Sequence, residues 1–167
     1  MFYQTFTYIC IIKLYMRVAF FHGLESKPFS EKNIELVKHF GESNVYAPAM
    51  DYRDPNLFET VLKEIKERDI QLLIGSSMGG YFAYCLSTIT GIPTLLFNTA
   101  LIGRSFDPVI QLGNKTAKHT VVLGINDDVI DPIKSTAYFM KNGIGEFEYN
   151  KEDIGHRIPI EIFTKYL

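Results

Sequence analysis

Residues 70–83 read Ile70-Gln71-Leu72-Leu73-Ile74-Gly75-Ser76-Ser77-Met78-Gly79-Gly80-Tyr81-Phe82-Ala83. The apolar run Ile70–Ile74 predicts a buried strand, and the residues from Met78 to about Thr88 predict a helix. Between them lies G-x-S-x-G, spanning Gly75 to Gly79. In a strand-to-helix context that pattern predicts a sharp, strained turn with a serine at its tip. The serine's neighbours two positions away must lack bulk, and Gly75 and Gly79 meet that need. Such a turn lifts Ser77 Oγ above the sheet beside a helix N-terminus, where the Met78 N–H can face a developing oxyanion. A Gly-rich turn that merely caps a helix, or one that cradles a phosphate, is the competing reading. A Walker loop is excluded, because no G-K-[ST] occurs. Ser76 is the neighbour most easily mistaken for the nucleophile, but the spacing favours Ser77.

The rest of the chain extends the same alternation. Arg17–Phe21 reads as a buried strand that ends at His22-Gly23. Ser30 suits an N-cap, with Ile34, Val37 and Phe40 at helical spacing and Gly41 as the stop. Asn44–Ala47 predicts a second strand. Asp54-Pro55 predicts a capped helix start, followed by the stripe Leu57, Val61, Leu62 and Ile65. Pro93–Phe97, Thr120–Leu123 and Glu146–Tyr149 predict three more strands. Asp131-Pro132 opens a helix that stops near Asn142-Gly143, and Pro159 opens a short last one. Strands alternating with helices imply a mainly parallel sheet of about six strands with helices on both faces, an α/β fold. In such sheets ligands bind outside the carboxyl ends of the strands. Thr99–Lys118 is the least periodic stretch and is expected to form a short cap over the site.

An activated serine needs a base, and the base needs an orienting carboxylate. In α/β-hydrolases the chain order is Ser, acid, His. Of four histidines, His39 and His119 are expected at the surface, and His22 precedes Ser77. His156, in Gly155-His156-Arg157 after the sixth strand, has the expected place. The acid belongs after the fifth strand, where Gly124-Ile125-Asn126-Asp127-Asp128-Val129 stands. Its G-x-x-D-x-V pattern favours Asp127, with Asp128 as the rival and Asp131 better explained as a helix cap. A second oxyanion donor is expected from the Leu24 backbone N–H, in the loop after the first strand, with His22 supporting that loop. Loss of one such donor costs roughly 3–4 kcal/mol of transition-state stabilisation.

Composition sets the outer bounds. The 167 residues fit one domain and are long enough to bury a core without disulfides or metals. Apolar residues make up 47% and charged residues 22%, which excludes a disordered or collagen-like chain. A net charge of −2 argues against a dedicated nucleic-acid binder. The two cysteines, Cys10 and Cys85, do not make a disulfide framework, which fits a reducing compartment. No H-E-x-x-H or Cys/His cluster suggests a metal. Residues 1–15 are apolar and aromatic but interrupted by Gln4, Thr5, Thr7 and Lys13, too short a run to span a membrane. An edge strand, a membrane-surface tail and an extension upstream of a natural start at Met16 are the three readings, and the third is favoured. Residues 16–167 then form a single domain.

From Met16 onward the sequence resembles the small α/β-hydrolases of the YqiA-like esterase family. The resemblance rests on His22-Gly23 with Ser26 and Pro28 after it, Gly75–Ala83, Phe97-Asn98, the segment from Asp127 to Asp131, and Gly155-His156-Arg157. Thr99 departs from it, standing where proline is expected. The resemblance implies a compact cytoplasmic esterase acting on carboxylic esters or acyl thioesters, with Ser77 as nucleophile, Asp127 as acid and His156 as base. No cofactor is implied, since such acyl transfer uses only water. Without a full lid domain the site should be shallow, lined by Leu24, Met78, Leu101, Ile102 and Phe106, and suited to an uncharged acyl chain. A small peptidase or acyltransferase on the same triad, and an interaction module that keeps the turn but works by binding a protein, are the alternatives.

Overall fold

The computed structural model describes residues 16–24, 26, 30–104, 107 and 109–167. The expected N-terminal extension, together with Cys10, Pro28 and Phe106, lies outside the described residues.

Among those residues six strands form one parallel sheet: β1 (Val18–Phe21), β2 (Val45–Tyr46), β3 (Leu72–Ser76), β4 (Thr94–Phe97), β5 (Lys118–Gly124) and β6 (Glu146–Glu152). Their order across the sheet is β2-β1-β3-β4-β5-β6. Five helices accompany them: α1 (Glu31–Phe40), α2 (Leu57–Glu67), α3 (Met78–Thr90), α4 (Pro132–Asn142) and α5 (Ile160–Lys165). This is the expected α/β fold.

Side chains alternate across a strand, so each central strand serves two cores. Ala19, Phe21, Leu73, Leu96, Val121 and Leu123 meet Phe58, Val61 and Ile65 of α2, Phe82 and Cys85 of α3, and Phe139 of α4. Val18, Phe20, Ile74, Leu95, Phe97 and Val122 meet Leu36 and Phe40 of α1 and Phe163 of α5. Both faces of β1, β3, β4 and β5 are therefore covered. That explains why these strands read as continuous apolar runs rather than as alternating ones.

Local chemistry fixes several helix ends. Asp131 Oδ1 accepts the N–H groups of Ile133 (2.9 Å) and Lys134 (3.1 Å), and Pro132 takes the first helical position, as expected. Gly41, at φ +87°, stops α1 and donates its N–H to the Val37 carbonyl. Three expectations need correction. Asp54-Pro55 does not start α2. Asp54 Oδ1 instead accepts the Asn56 N–H at 2.9 Å, closing a turn that delays the helix to Leu57. In α1 the buried face is Leu36 and Phe40, whereas Ile34 is 56% exposed. Residues 113–115, expected within a cap over the site, instead pair with α3. The Gly113 N–H bonds Thr88 Oγ1 (2.9 Å) and the Lys115 N–H bonds the Thr88 carbonyl (2.7 Å). This part of the segment thus runs beside the end of α3 and leads into β5. Arg104 fastens the start of the segment, donating to the Ala100 and Leu101 carbonyls while its guanidinium lies 4.0 Å from the Tyr81 ring centroid.

Candidate active site

Ser77 occupies the single position between β3 and α3, with φ +55° and ψ −118°. A non-glycine residue in such a conformation carries strain of order 1–3 kcal/mol, which the surroundings must offset. They do so with backbone bonds. The Ser77 N–H donates to the Phe97 carbonyl (2.9 Å), and its own carbonyl accepts from Gly80 (3.0 Å) and Ala100 (3.1 Å). The flanking glycines permit the turn. A Cβ on Gly75 would run into the Gly79 carbonyl, and one on Gly79 into the Phe21 carbonyl. The first turn of α3 thereby lies directly against the end of β1. Thr99, where proline was expected, is fully buried against Gly80. Ser77 Oγ makes no capping bond to its helix.

The loop after β1 comes equally close, since a Cβ on Gly23 would lie 3.3 Å from the Ser77 Cβ. His22 holds this loop. Its Nε2 accepts the Met50 N–H (3.3 Å), so Nδ1 carries the proton and donates to the Gly23 carbonyl (2.8 Å). The Tyr52 hydroxyl donates to the His22 carbonyl. Among the described residues, neither the Leu24 nor the Met78 N–H donates to a protein acceptor. For Met78 the reason is general: the first N–H of a helix has no partner within it.

The loops after β5 and β6 carry the other two candidates. His156 Nδ1 lies 2.9 Å from Asp127 Oδ2 and 3.1 Å from Oδ1. A carboxylate only accepts, so Nδ1 carries a proton, and in the neutral ring Nε2 is the acceptor. Asp127 Oδ1 also accepts the N–H groups of Val129 (2.9 Å) and Ile130 (2.8 Å), and its side chain is 1% exposed. Asp128, its rival, is exposed and makes no hydrogen bond to the ring. The two loops are joined directly: the Ile125 N–H donates to the Glu152 carbonyl, and Asn126 Nδ2 donates to Asp153 Oδ1 at 2.6 Å.

The structure therefore brings Asp127 and His156 into contact and sets Ser77, Leu24 and Met78 at the same carboxyl edge of the sheet. It records no hydrogen bond between Ser77 Oγ and the His156 ring. Such bonds commonly tighten only when substrate is bound. The expected lining divides. Leu24 and Ile102 are exposed, while Met78 and Leu101 are buried in the core and present little side-chain surface. Two cavities, of about 220 and 370 Å³, open at the opposite edge of the sheet, beside Arg17, Tyr46 and Ile70 and beside Ile65, Ile89 and Lys115.

Two residues were misjudged or missed at the level of sequence. His119, expected at the surface, is 1% exposed. Its Nδ1 lies 2.9 Å from Thr94 Oγ1, its Nε2 lies 2.9 Å from the Ile144 carbonyl, and its ring stacks on Phe147. Burial lowers its pKa. Asn98, at the end of β4, is buried and bonded to both the acid loop and the histidine loop. Phe97-Asn98 enters the sequence reading only as part of the family resemblance, and an amide after three apolar strand residues gives no role for it. Cys85 is the buried thiol expected, and burial pushes its pKa up to about 12.

The family described as "Uncharacterised protein family (UPF0227)" matches residues 17–118, a stretch that includes Ser77 but ends before Asp127 and His156. No curated protein matches the chain. Many solved structures do. One is a protein of Xanthomonas campestris pv. campestris described by its place in the alpha/beta hydrolase superfamily, 16% identical, covering 90% of this chain and 96% of that one with a TM-score of 0.64. A carboxylesterase from Mesorhizobium loti is 12% identical, with 91% and 86% covered and a TM-score of 0.63. A monoacylglycerol lipase from Paleococcus ferrophilus is 14% identical, with 84% and 86% covered and a TM-score of 0.63. At these identities the likeness establishes the α/β-hydrolase fold.

Proposed function

This chain belongs to the YqiA-like family UPF0227, and from that premise we propose that it is a serine hydrolase of carboxylic esters, working through Ser77, His156 and Asp127. One observation carries the reading: a buried carboxylate meets His156 Nδ1 at 2.9 Å, across two loops, at the edge of the sheet where the strained Ser77 turn opens.

In the proposed reaction His156 Nε2 takes the proton of Ser77 Oγ as the oxygen adds to the ester carbonyl. The Leu24 and Met78 N–H groups receive the oxyanion. Collapse of the tetrahedral intermediate expels the alcohol, which leaves with the proton from His156, and an acyl-enzyme remains. Water repeats the sequence and releases the acid. Asp127 holds the imidazole in the required tautomer and stabilises the imidazolium. The exposed apolar side chains at this edge, Leu24, Ile102, Ile125 and Val129, favour an uncharged acyl chain. Thioesters fit the same chemistry. Among the described residues no helix is long and apolar enough to cross a membrane.

A fluorophosphonate probe, with the adduct mapped by mass spectrometry, tests the nucleophile directly. The reading expects a single adduct on Ser77 that is absent from Ser77→Ala. An unlabelled wild type, or labelling that persists in the variant, would contradict it. A protein-interaction module is the second reading. It draws on Ile133 and Met140, 79% and 78% exposed and two turns apart on one face of α4. An unlabelled wild type would favour it.

A further inference from the structure

Asn98 follows the last residue of β4 at φ +42°, in the left-handed region. Among side chains other than glycine, asparagine tolerates that region best. It is 2% exposed. Its carboxamide makes three hydrogen bonds, all to the two loops that carry the proposed acid and base. Oδ1 accepts the Gly124 N–H at 2.7 Å, at the root of the loop that leads to Asp127. Nδ2 donates to the Gly155 carbonyl at 3.0 Å and to the carbonyl of His156 itself at 3.1 Å. Its backbone N–H donates to the Val122 carbonyl at 3.0 Å. The amide orientation is fixed by these partners, since a flip would set an N–H against an N–H and an oxygen against two carbonyls. Gly124 is pressed equally closely against the histidine loop, where a Cβ would lie 2.6 Å from the Ile154 carbonyl and 2.8 Å from that of Gly155.

We propose that Asn98 is a positioning residue for hydrolysis: its carboxamide clamps the acid loop to the histidine loop and thereby holds His156 Nδ1 on Asp127. The proposal rests on the hydrolase reading for the reaction that it serves. Few other residues can do this. Serine and threonine offer one donor on a shorter stem. Aspartate tolerates the backbone conformation and keeps an acceptor for Gly124, but it sets an oxygen against two carbonyls. Glycine keeps the backbone and loses all three bonds. A clamp of this kind acts on geometry, and a misplacement of about 1 Å can cost on the order of 10²-fold in rate.

The test compares wild type, Asn98→Gly and Asn98→Asp in the full chain. Thermal unfolding checks that each variant folds. Ester turnover is resolved into kcat and KM. Proton NMR follows the strongly downfield Nδ1–H resonance of His156, assigned by its loss in Asp127→Asn. The clamp expects both variants to fold cooperatively, to lose or broaden that resonance, and to lose about 10²-fold in kcat with KM within about threefold. Folded variants that keep the resonance and turn over at the wild-type rate would overturn it. If both variants fail to fold, wild type decides. The clamp then requires both Asn98 Nδ2 protons to be resolved and slow to exchange, and rapid exchange would refute it. An inactive wild type that shows the Nδ1–H resonance would count against the hydrolase reading and leave the resonance comparison to judge the clamp.

Discussion

Asp127 Oδ1 accepts two backbone N–H bonds while the carboxylate holds the His156 Nδ1 proton, so the proposed acid is already oriented toward the ring. Asp128, one residue on, has none of these partners. Asp127→Asn keeps the shape but can present an N–H to the ring and hold it in the wrong tautomer. Such a change lowered kcat by roughly 10⁴-fold in a serine protease. The expected result is a collapse of comparable order for Asp127→Asn and a change within about threefold for Asp128→Asn, measured as ester turnover. Equal losses in both would reassign the acid. The strained turn at Ser77 and the position of Asp127 after β5 were legible in the sequence, because each has a fixed spacing to a strand end and turn chemistry is local. His119 could not. Its burial depends on Thr94, Ile144 and Phe147, which three other segments bring to it, and nothing near it in the chain announces them.

At the scale of the element, the turn from β3 into α3 depends on an absence of side-chain atoms. A methyl on Gly79 would meet the Phe21 carbonyl and also lie 2.7 Å from that of His22, so backbone would have to move. Gly79→Ala is expected to cost at least about 1–3 kcal/mol, the usual range for overpacking, read as a shift in the urea midpoint. Wild-type stability in that variant would mean that α3 is not pressed on β1 as described. Helix α1 supplies a contrast between two apolar residues. Phe40 lies in the core and Ile34 in solvent. Phe40→Ala should cost about 3–5 kcal/mol and Ile34→Ala no more than about 0.5 kcal/mol. Similar losses would contradict the packing of α1. Periodicity alone placed Ile34 on the buried face, because Ile34, Leu36, Val37 and Phe40 allow two overlapping stripes. The choice between them is made by α5, whose Phe163 meets Leu36 and Phe40. The delayed start of α2 has a similar origin: Asp54 can cap a helix or close a turn, and here it bonds the Asn56 N–H.

For the whole molecule, the buried His119 couples stability to pH. Burial disfavours its charged form, so its pKa in the folded state lies below the usual value of 6.5. The unfolded chain therefore binds more protons in the window between the two values. Stability from this group is full above about pH 6.5 and is lost as pH falls through the folded-state value. Wild type should melt lower at pH 5 than at pH 7.5, and His119→Gln should show a flatter dependence over that interval. Equal slopes would place the coupling elsewhere. The doubly covered parallel sheet was legible because continuous apolar runs alternated with capped helices. The placement of Arg104 and of residues 113–115 was not, since their contacts with Tyr81 and Thr88 come from α3 rather than from any pattern of their own. The sheet delivers the loops after β1, β3, β5 and β6 to one edge, where the proposed site lies, with Asn98 bonded to the last two. Hydrolysis of p-nitrophenyl acetate and butyrate by wild type and Ser77→Ala tests that arrangement most directly. Turnover by wild type, with kcat reduced by as much as about 10⁶-fold in the variant, is the expected result. Equal rates in the two proteins, or none in wild type, would contradict the account.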